Sequence, residues 1–205
     1  MTNPMWSHLI ATPLPEIRRR AVIIDALTDI TPVTVPGARR WAWNDGGGQS
    51  AVWYFADDGR VLLLTFEHEL SLNLYAEGDF SLQESLYGGV PESLMALVRD
   101  RPENYESLNL TDRVTGRTIH YAGGIFWCDG STWRIADGLV TYCRDRGLDL
   151  FTESGFEYCL SDYLFGSDLT AETLVAARDA DGQYVDDADK ARDLDRTRAV
   201  FDRYA

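Results

Sequence analysis

Residues 41–66 read WAWNDGGGQSAVWYFADDGRVLLLTF, and this stretch decides the predicted fold. It contains three apolar runs, which are separated by the glycine-rich residues 44–48 and by a turn at Asp58-Gly59. An Asp-Gly pair between two apolar runs favours a tight hairpin, because the turn needs positive φ angles that glycine adopts readily. The stretch is therefore typical of a β-meander, in which consecutive strands pair antiparallel.

Two blocks of strands are predicted, and we expect them to form one antiparallel sheet. The first block covers about residues 39–75, and its last strand is indicated by the alternating leucines Leu70, Leu72 and Leu74. The second block covers about residues 105–135, where glycine-containing turns divide short runs of aromatic and β-branched residues.

Helices are predicted on either side of these blocks. Apolar residues recur at helical spacing over residues 14–27, and shorter helical patterns cover residues 82–86 and 91–98 between the two strand blocks. Residues 138–205 are predicted to be helical and to pack on or beside the sheet. The sequence thus predicts a single α+β domain over residues 1–205, with an antiparallel sheet, flanking helices and a helical C-terminal third.

The chain is strongly acidic, with 33 acidic against 19 basic residues and a formal charge of −14. Such a charge repels a phosphate backbone, so nucleic acid is not expected to be a direct partner. The charge either keeps the surface well solvated or matches a basic partner protein. Lys190 is the single lysine among the 19 basic residues, and this excess of arginine indicates a GC-rich, bacterial coding sequence.

The sequence carries no pattern for membrane insertion, export or cofactor binding. No apolar run approaches the roughly 18–20 residues of a membrane helix, and the N-terminus lacks a signal-peptide pattern. We therefore expect a soluble, cytoplasmic protein without membrane contact. The cysteines have no metal-binding spacing and are expected to be reduced, buried thiols (Cys128, Cys143 and Cys159). No cofactor or metal is predicted.

The most suggestive polar cluster is Glu67-His68-Glu69, which follows the last apolar run of the meander. If the strand continued, its alternation would place both glutamates on one face and His68 on the other. Two carboxylates on one face can bind a cation or share acid and base chemistry, but no catalytic or metal-binding spacing accompanies them. Because like charges on one face repel unless they are screened, we expect Glu67 and Glu69 to form a solvent-accessible acidic patch.

Aromatic residues supply the remaining candidates for a binding surface. Large aromatic side chains on half-buried strands normally fill the core, and the alternative is a concave face that combines them with the two glutamates. The candidate binding residues are Trp41, Trp43, Glu67, Glu69, Trp127 and Asp129. No catalytic residue is predicted, because no neighbouring residue marks a triad or an activated nucleophile at His8, His120 or Cys128.

The leading functional hypothesis is a non-enzymatic protein-binding module. Small acidic α+β bacterial proteins without catalytic motifs are often immunity or antitoxin proteins, which cover the active site of a toxin. We therefore expect this chain to mask a basic or nucleic-acid-handling partner protein through an acidic, aromatic-bearing surface.

Two alternatives come from other classes of protein. The first is a small-ligand-binding protein or hydrolase-type enzyme, with a site between the two strand blocks that uses Glu67, Glu69, His120 or Asp129. The second is a structural or oligomeric module whose last helix, residues 186–204, docks on a neighbouring chain. The oligomeric state does not follow from the sequence.

Overall fold

The computed structural model describes three stretches of the chain, residues 3–28, 33–104 and 108–204. The fold is α+β, as the sequence predicts, with antiparallel strands, flanking helices and a helical C-terminal third. The chain divides into two compact units, one made of Met1–Thr31 with Leu160–Ala205 and the other of Pro32–Cys159. The single domain over residues 1–205 stays a prediction.

The α-helices of the described residues are α1 (Pro4–Ala11), α2 (Leu14–Leu27), α3 (Phe80–Leu86), α4 (Glu92–Met95), α5 (Asp137–Arg146), α6 (Leu150–Glu153), α7 (Phe156–Cys159), α8 (Ala171–Ala180) and α9 (Asp187–Tyr204). The strands are β1 (Val33–Val35), β2 (Ala38–Asn44), β3 (Ser50–Ala56), β4 (Val61–Phe66), β5 (Asn109–Thr111), β6 (Thr118–His120), β7 (Gly124–Cys128) and β8 (Trp133–Ile135). Six strands form one sheet in the order β1-β2-β3-β4-β7-β8, and β5 pairs with β6 in a separate hairpin.

The unit that contains both chain ends is helical. Its last helix, α9, packs against α2 and α8 of the same unit. Arg178 of α8 is joined to Asp162 at 2.6 Å and to Asp193 of α9 at 3.1 Å. The last helix is thus anchored within its own unit, and its docking on a neighbouring chain stays a prediction. Among the described helices, none combines the length and apolar composition that a membrane crossing requires.

The predicted meander is present as β2, β3 and β4. Each pairs antiparallel with the next, and the predicted hairpin turn lies between β3 and β4, where Gly59 has a φ of +87°. One face of the sheet carries a core that includes side chains of β3, β4, α3, α4 and α5 (Val52, Tyr54, Leu62, Leu64, Leu86, Leu94 and Leu139). Local pattern therefore predicts this part of the fold correctly.

Aromatic residues fill the opposite face of the same sheet. Trp41, Trp53, Leu63 and Phe126 are cross-strand partners in one row, and all four are buried. The Phe126 ring lies 4.7 Å from the ring of Phe156 in α7. Tryptophans on these strands therefore behave as core residues, except near the sheet ends.

The second strand block joins the sheet only in part. Strand β7 pairs with β4, and β8 pairs with β7, whereas β5 and β6 stay outside the sheet. The strand predicted from Leu70, Leu72 and Leu74 is wrong, because the chain turns there instead. The Tyr121 hydroxyl donates to the carbonyl oxygen of Leu72 at 2.5 Å and accepts from the amide of Leu74, which holds this turn in place.

Candidate functional site

The candidate site lies at the end of the sheet where β2 and β4 end and β3 begins. Asn44, Ser50 and Phe66 are cross-strand neighbours at this end. A cleft of about 400 Å³ opens beside them, and we call it the acidic cleft. Its lining comes from the ends of the strands and from α6 and α7 (Gln49, Glu67, Glu69, Leu70, Thr152, Glu157 and Tyr158).

Glu67 is buried, which corrects the expectation of an exposed glutamate pair. Only 7% of the residue is exposed, whereas the side chain of Glu69 is 76% exposed. The side-chain amide of Gln49 donates to Glu67 Oε1 at 2.7 Å, and the Glu69 backbone N–H donates to Glu67 Oε2 at 3.0 Å. Each oxygen of this carboxylate therefore has one neutral donor, and the acidic patch at the surface consists of Glu69 without Glu67.

The segment between α6 and α7 explains why Glu67 is covered. Gly155 has a φ of +72°, and a side-chain Cβ at this position would lie 2.6 Å from the Cβ of Glu67. Glycine therefore allows both the backbone conformation and the close approach. The Cys159 thiol donates to the Phe66 carbonyl oxygen at 3.3 Å, which fastens α7 to the end of β4.

His68 lies between the two glutamates rather than on the opposite face. Its Nδ1 is 3.8 Å from Glu67 Oε1, and its Nε2 is 3.7 Å from Glu69 Oε1. The expected alternation fails because β4 ends at Phe66, so the period-two rule no longer applies. In the described part of the chain, His68 is the only side chain within 4.0 Å of these two carboxylates that can carry a positive charge.

An aromatic pair borders the acidic cleft. The rings of Trp43 and Tyr158 lie 6.5 Å apart, and Tyr158 is 53% exposed. The Tyr158 hydroxyl donates to Asp45 Oδ2 at 3.4 Å. Partial burial, followed by the nearby Asp45 carboxylate, raises the pKa of Tyr158, so the phenol stays protonated at neutral pH.

The carboxylates of Glu67 and Glu69 line the cleft, and the Asp45 carboxylate lies beside Tyr158. In the stretches that the structure describes, no arginine or lysine nitrogen lies within 4.0 Å of Asp45, Glu67 or Glu69. By contrast, Glu16 is paired with two arginines, both at 2.7 Å. The cleft therefore keeps an uncompensated negative potential beside an exposed aromatic ring.

The other predicted binding residues lie elsewhere. Trp41 is 3% exposed in the aromatic row of the sheet. Trp127 and Asp129 belong to the opposite end, because Cys128 pairs with Val61 at the start of β4. This places Asp129, level with Arg60, about 23 Å from Glu67 along the strand direction. The structure brings together Trp43, Glu67 and Glu69, and it leaves out Trp41, Trp127 and Asp129.

Asp129 stabilises a turn. Its Oδ1 accepts hydrogen bonds from the backbone N–H groups of Ser131 and Thr132 at 3.0 and 2.9 Å. These bonds hold the pKa of Asp129 below its ordinary value. A combined site of Glu67, Glu69, His120 and Asp129 is therefore not formed.

Three further residues with nucleophilic or acid-base potential, His120, Cys143 and Cys159, are buried outside the lining of the cleft. His120 is 2% exposed, its Nδ1 lies 3.1 Å from the Tyr54 hydroxyl, and burial lowers its pKa to about 3. The cysteines are free thiols, as predicted. Burial raises the pKa of Cys143 to about 11 and that of Cys159 to about 12, so neither thiol ionises readily.

A second cleft, of about 590 Å³, lies in the helical unit beside Arg20. The Arg20 guanidinium donates to Glu16 and to the carbonyl oxygens of Tyr163, Leu164 and Ser167. Its donors therefore hold the chain around residues 163–167 in place and are not directed at a ligand.

Sequence reasoning missed Gln49, Tyr158 and Asp45. Gln49 directly follows the glycine-rich loop of residues 44–48, and Asp45 lies within that loop. The sequence indicates only that this loop connects two strands. Tyr158 lies in a segment where only helical periodicity was visible. No local signal links these positions, because the chain brings them together only in the folded state.

Replacing Glu67 and Glu69 separately by alanine should give unequal losses of stability. We expect Glu67→Ala to lower the free energy of unfolding by about 1–3 kcal/mol, because it leaves the buried Gln49 amide without its acceptor. We expect Glu69→Ala to change it by less than about 0.5 kcal/mol, as for other exposed positions. Urea unfolding followed by circular dichroism measures both, and equal effects would show that Glu67 is not held as described.

Among the described residues, no group of three or more histidine, cysteine, aspartate or glutamate side chains is arranged to hold a metal ion. Comparisons of the chain with protein-family models, with curated proteins and with solved structures give no match.

Proposed function

We propose that this chain is a non-enzymatic protein-binding module of the immunity or antitoxin type, which masks a basic partner protein through the acidic cleft. The observation that carries the proposal is that Glu67 and Glu69, which line the cleft, and Asp45, which accepts from Tyr158, have no arginine or lysine partner within 4.0 Å among the described residues. A basic segment of a partner would supply the missing positive charge.

The composition of the rim also favours a protein partner. Tyrosine and tryptophan are enriched where interfaces carry most of their binding energy, and Tyr158 is 53% exposed beside Trp43. The formal charge of −14 would speed the encounter with a basic protein, and this effect would weaken as salt is raised.

The chemistry of the buried groups supports a binding role over catalysis. Burial keeps His120 neutral, and it raises the pKa of the thiols at Cys143 and Cys159. None of these three residues lines the acidic cleft. These three residues therefore supply no general base or nucleophile to a molecule bound in the cleft.

Panning a phage-displayed random-peptide library tests this proposal. We expect the wild-type protein to enrich peptides rich in arginine and lysine, and we expect Glu69→Lys with Glu157→Lys to reduce their retention at least tenfold. Both residues line the cleft, and Glu69 is largely exposed, so the charge reversal acts on binding more than on folding. Raising the salt concentration should reduce the retention of these peptides on the wild-type protein.

The matched control is Asp181→Lys with Asp202→Lys, which changes the net charge by the same amount at exposed positions outside the cleft. This control should keep the retention of the basic peptides within about twofold of wild type, since distant surface charges act weakly across a Debye length. The proposal is wrong if the library yields no basic peptides, or if both double variants lose them equally.

A further inference from the structure

We infer that the acidic cleft receives a single arginine side chain of the partner protein, with Glu67 and Gln49 as its hydrogen-bond acceptors and Tyr158 as its stacking surface. This inference rests on the proposed function and specifies the chemistry of its partner. It depends on three features of the described residues, namely a buried carboxylate without an arginine or lysine partner, a buried acceptor without a donor, and an exposed aromatic ring.

The first feature is the carboxylate of Glu67. It is buried to 93%, since 7% of the residue is exposed, and its two hydrogen bonds come from neutral amide groups. Burial of a carboxylate is unfavourable unless a cation compensates it, and a carboxylate accepts more than two hydrogen bonds. A cationic donor in the cleft would satisfy both requirements.

The second feature is independent of charge. Gln49 lines the cleft and is 9% exposed, and its Oε1 is buried with no hydrogen-bond donor among the described residues. The same side chain donates from Nε2 to Glu67 at 2.7 Å, so the amide orientation is fixed by the carboxylate. Buried acceptors in native proteins are normally paired, which makes an unpaired one a marker for a missing donor.

The third feature selects guanidinium over ammonium. Tyr158 presents an exposed ring that is backed by Trp43 at 6.5 Å. A guanidinium is planar, stacks on aromatic rings and offers five donors in a fixed plane, so it can serve the carboxylate and the amide oxygen together. An ammonium group is a compact, strongly hydrated charge that gains less from the ring.

The carboxylates at the rim of the cleft favour an arginine that belongs to a protein over a free metabolite. Glu69 and Glu157 line the same cleft, and Asp45 lies within hydrogen-bonding distance of the Tyr158 hydroxyl. These carboxylates surround the entrance and would contact the residues that flank an arginine in a basic segment. The rim therefore favours a basic segment of a protein over a free guanidino compound.

The probe is Nα-acetyl-arginine amide, titrated into the ¹⁵N-labelled full chain and followed by backbone amide resonances. We expect shifts concentrated at Gln49, Glu67 and Tyr158, with millimolar affinity, because the probe lacks the rest of the interface. The lysine analogue should bind at least threefold more weakly. The citrulline analogue, which has nearly the same shape without the charge, should bind at least tenfold more weakly.

Two variants and a control test whether the resonance shifts depend on Glu67 and Tyr158. Glu67→Gln keeps the size of the side chain and should weaken binding at least tenfold, and Tyr158→Ala, at an exposed position, should weaken it at least threefold. Glu103→Gln removes an exposed charge outside the cleft and should leave the affinity within twofold. If Glu67→Gln disturbs the spectrum as a whole, Tyr158→Ala alone decides the test.

The outcomes separate this inference from the proposed function. Basic peptides that depend on Glu69 and Glu157, together with no arginine-amide shifts at the cleft, would overturn the arginine pocket and leave the binding module in place. Arginine amide bound at the cleft without any enriched peptide would overturn the protein partner. Equal binding of the arginine and citrulline analogues would overturn the role of the Glu67 charge.

Discussion

Replacing Trp53 by alanine is expected to lower the free energy of unfolding by about 3–5 kcal/mol, the range for fully buried large aromatic residues. Trp53 has no exposed surface and lies in the middle of the central strand β3. Its ring stacks on Phe55 at 5.9 Å and meets Trp133 edge-on at 6.3 Å. The alanine variant would lose this burial and leave a cavity that the rigid strands cannot close.

Guanidinium unfolding measures this loss of stability. Far-ultraviolet circular dichroism is the better probe, because several other tryptophans complicate fluorescence. The matched control is Trp127→Ala, since Trp127 is partly exposed near the end of β7 and lies beneath Arg134. We expect Trp127→Ala to lower the free energy of unfolding by less than half as much as Trp53→Ala does. Equal losses for the two variants would contradict the placement of Trp53 at the centre of the buried row.

The meander could be predicted from the sequence because its signals are local. The turn at Asp58-Gly59 and the two flanking apolar runs lie within a few residues of one another. Hairpin pairing then follows from the turn, and the register in the structure agrees with it, since Phe55 pairs with Val61. The same locality made the helix over residues 14–27 predictable.

The strand predicted from Leu70, Leu72 and Leu74 is wrong because alternation of apolar residues alone does not specify a strand. Leu72 is buried in the core, but its carbonyl oxygen is bonded by Tyr121 and not by a neighbouring strand. Tyr121 lies in the second strand block, far along the chain. The turn therefore depends on a tertiary hydrogen bond that a window of sequence does not contain.

The candidate site was predictable only in part, for the same reason. Trp43 and Glu69 follow from strand pattern and charge. The burial of Glu67 requires Gly155 and the start of α7, which lie near the C-terminal end of the same unit, far from Glu67 along the chain. Its hydrogen bond from Gln49 requires the register of β3 against β4. Sequence pattern gives the residue types at the strand ends, whereas tertiary structure decides which of them are covered.

Acidification is expected to destabilise the protein through His120. Burial, with a smaller effect from the positive charge of Arg40, lowers its pKa from 6.5 to about 3 in the folded chain. The unfolded chain therefore binds a proton at His120 below about pH 6.5, while the folded chain does so only near pH 3. The stability from the neutral imidazole is complete above pH 6.5 and is lost as the pH falls toward 3. The loss between pH 7 and pH 5 should be about 2 kcal/mol from this residue.

Urea unfolding at pH 7, 6 and 5 measures this effect, with His120→Asn as the variant that cannot titrate. The variant should be less stable at pH 7, because Tyr54 loses its imidazole partner, but its stability should fall by about 2 kcal/mol less than wild type on going to pH 5. The same carboxylates are present in both proteins, so the difference between their pH dependences isolates His120. If wild type and His120→Asn lose the same stability between pH 7 and pH 5, then the imidazole is not held neutral by the core.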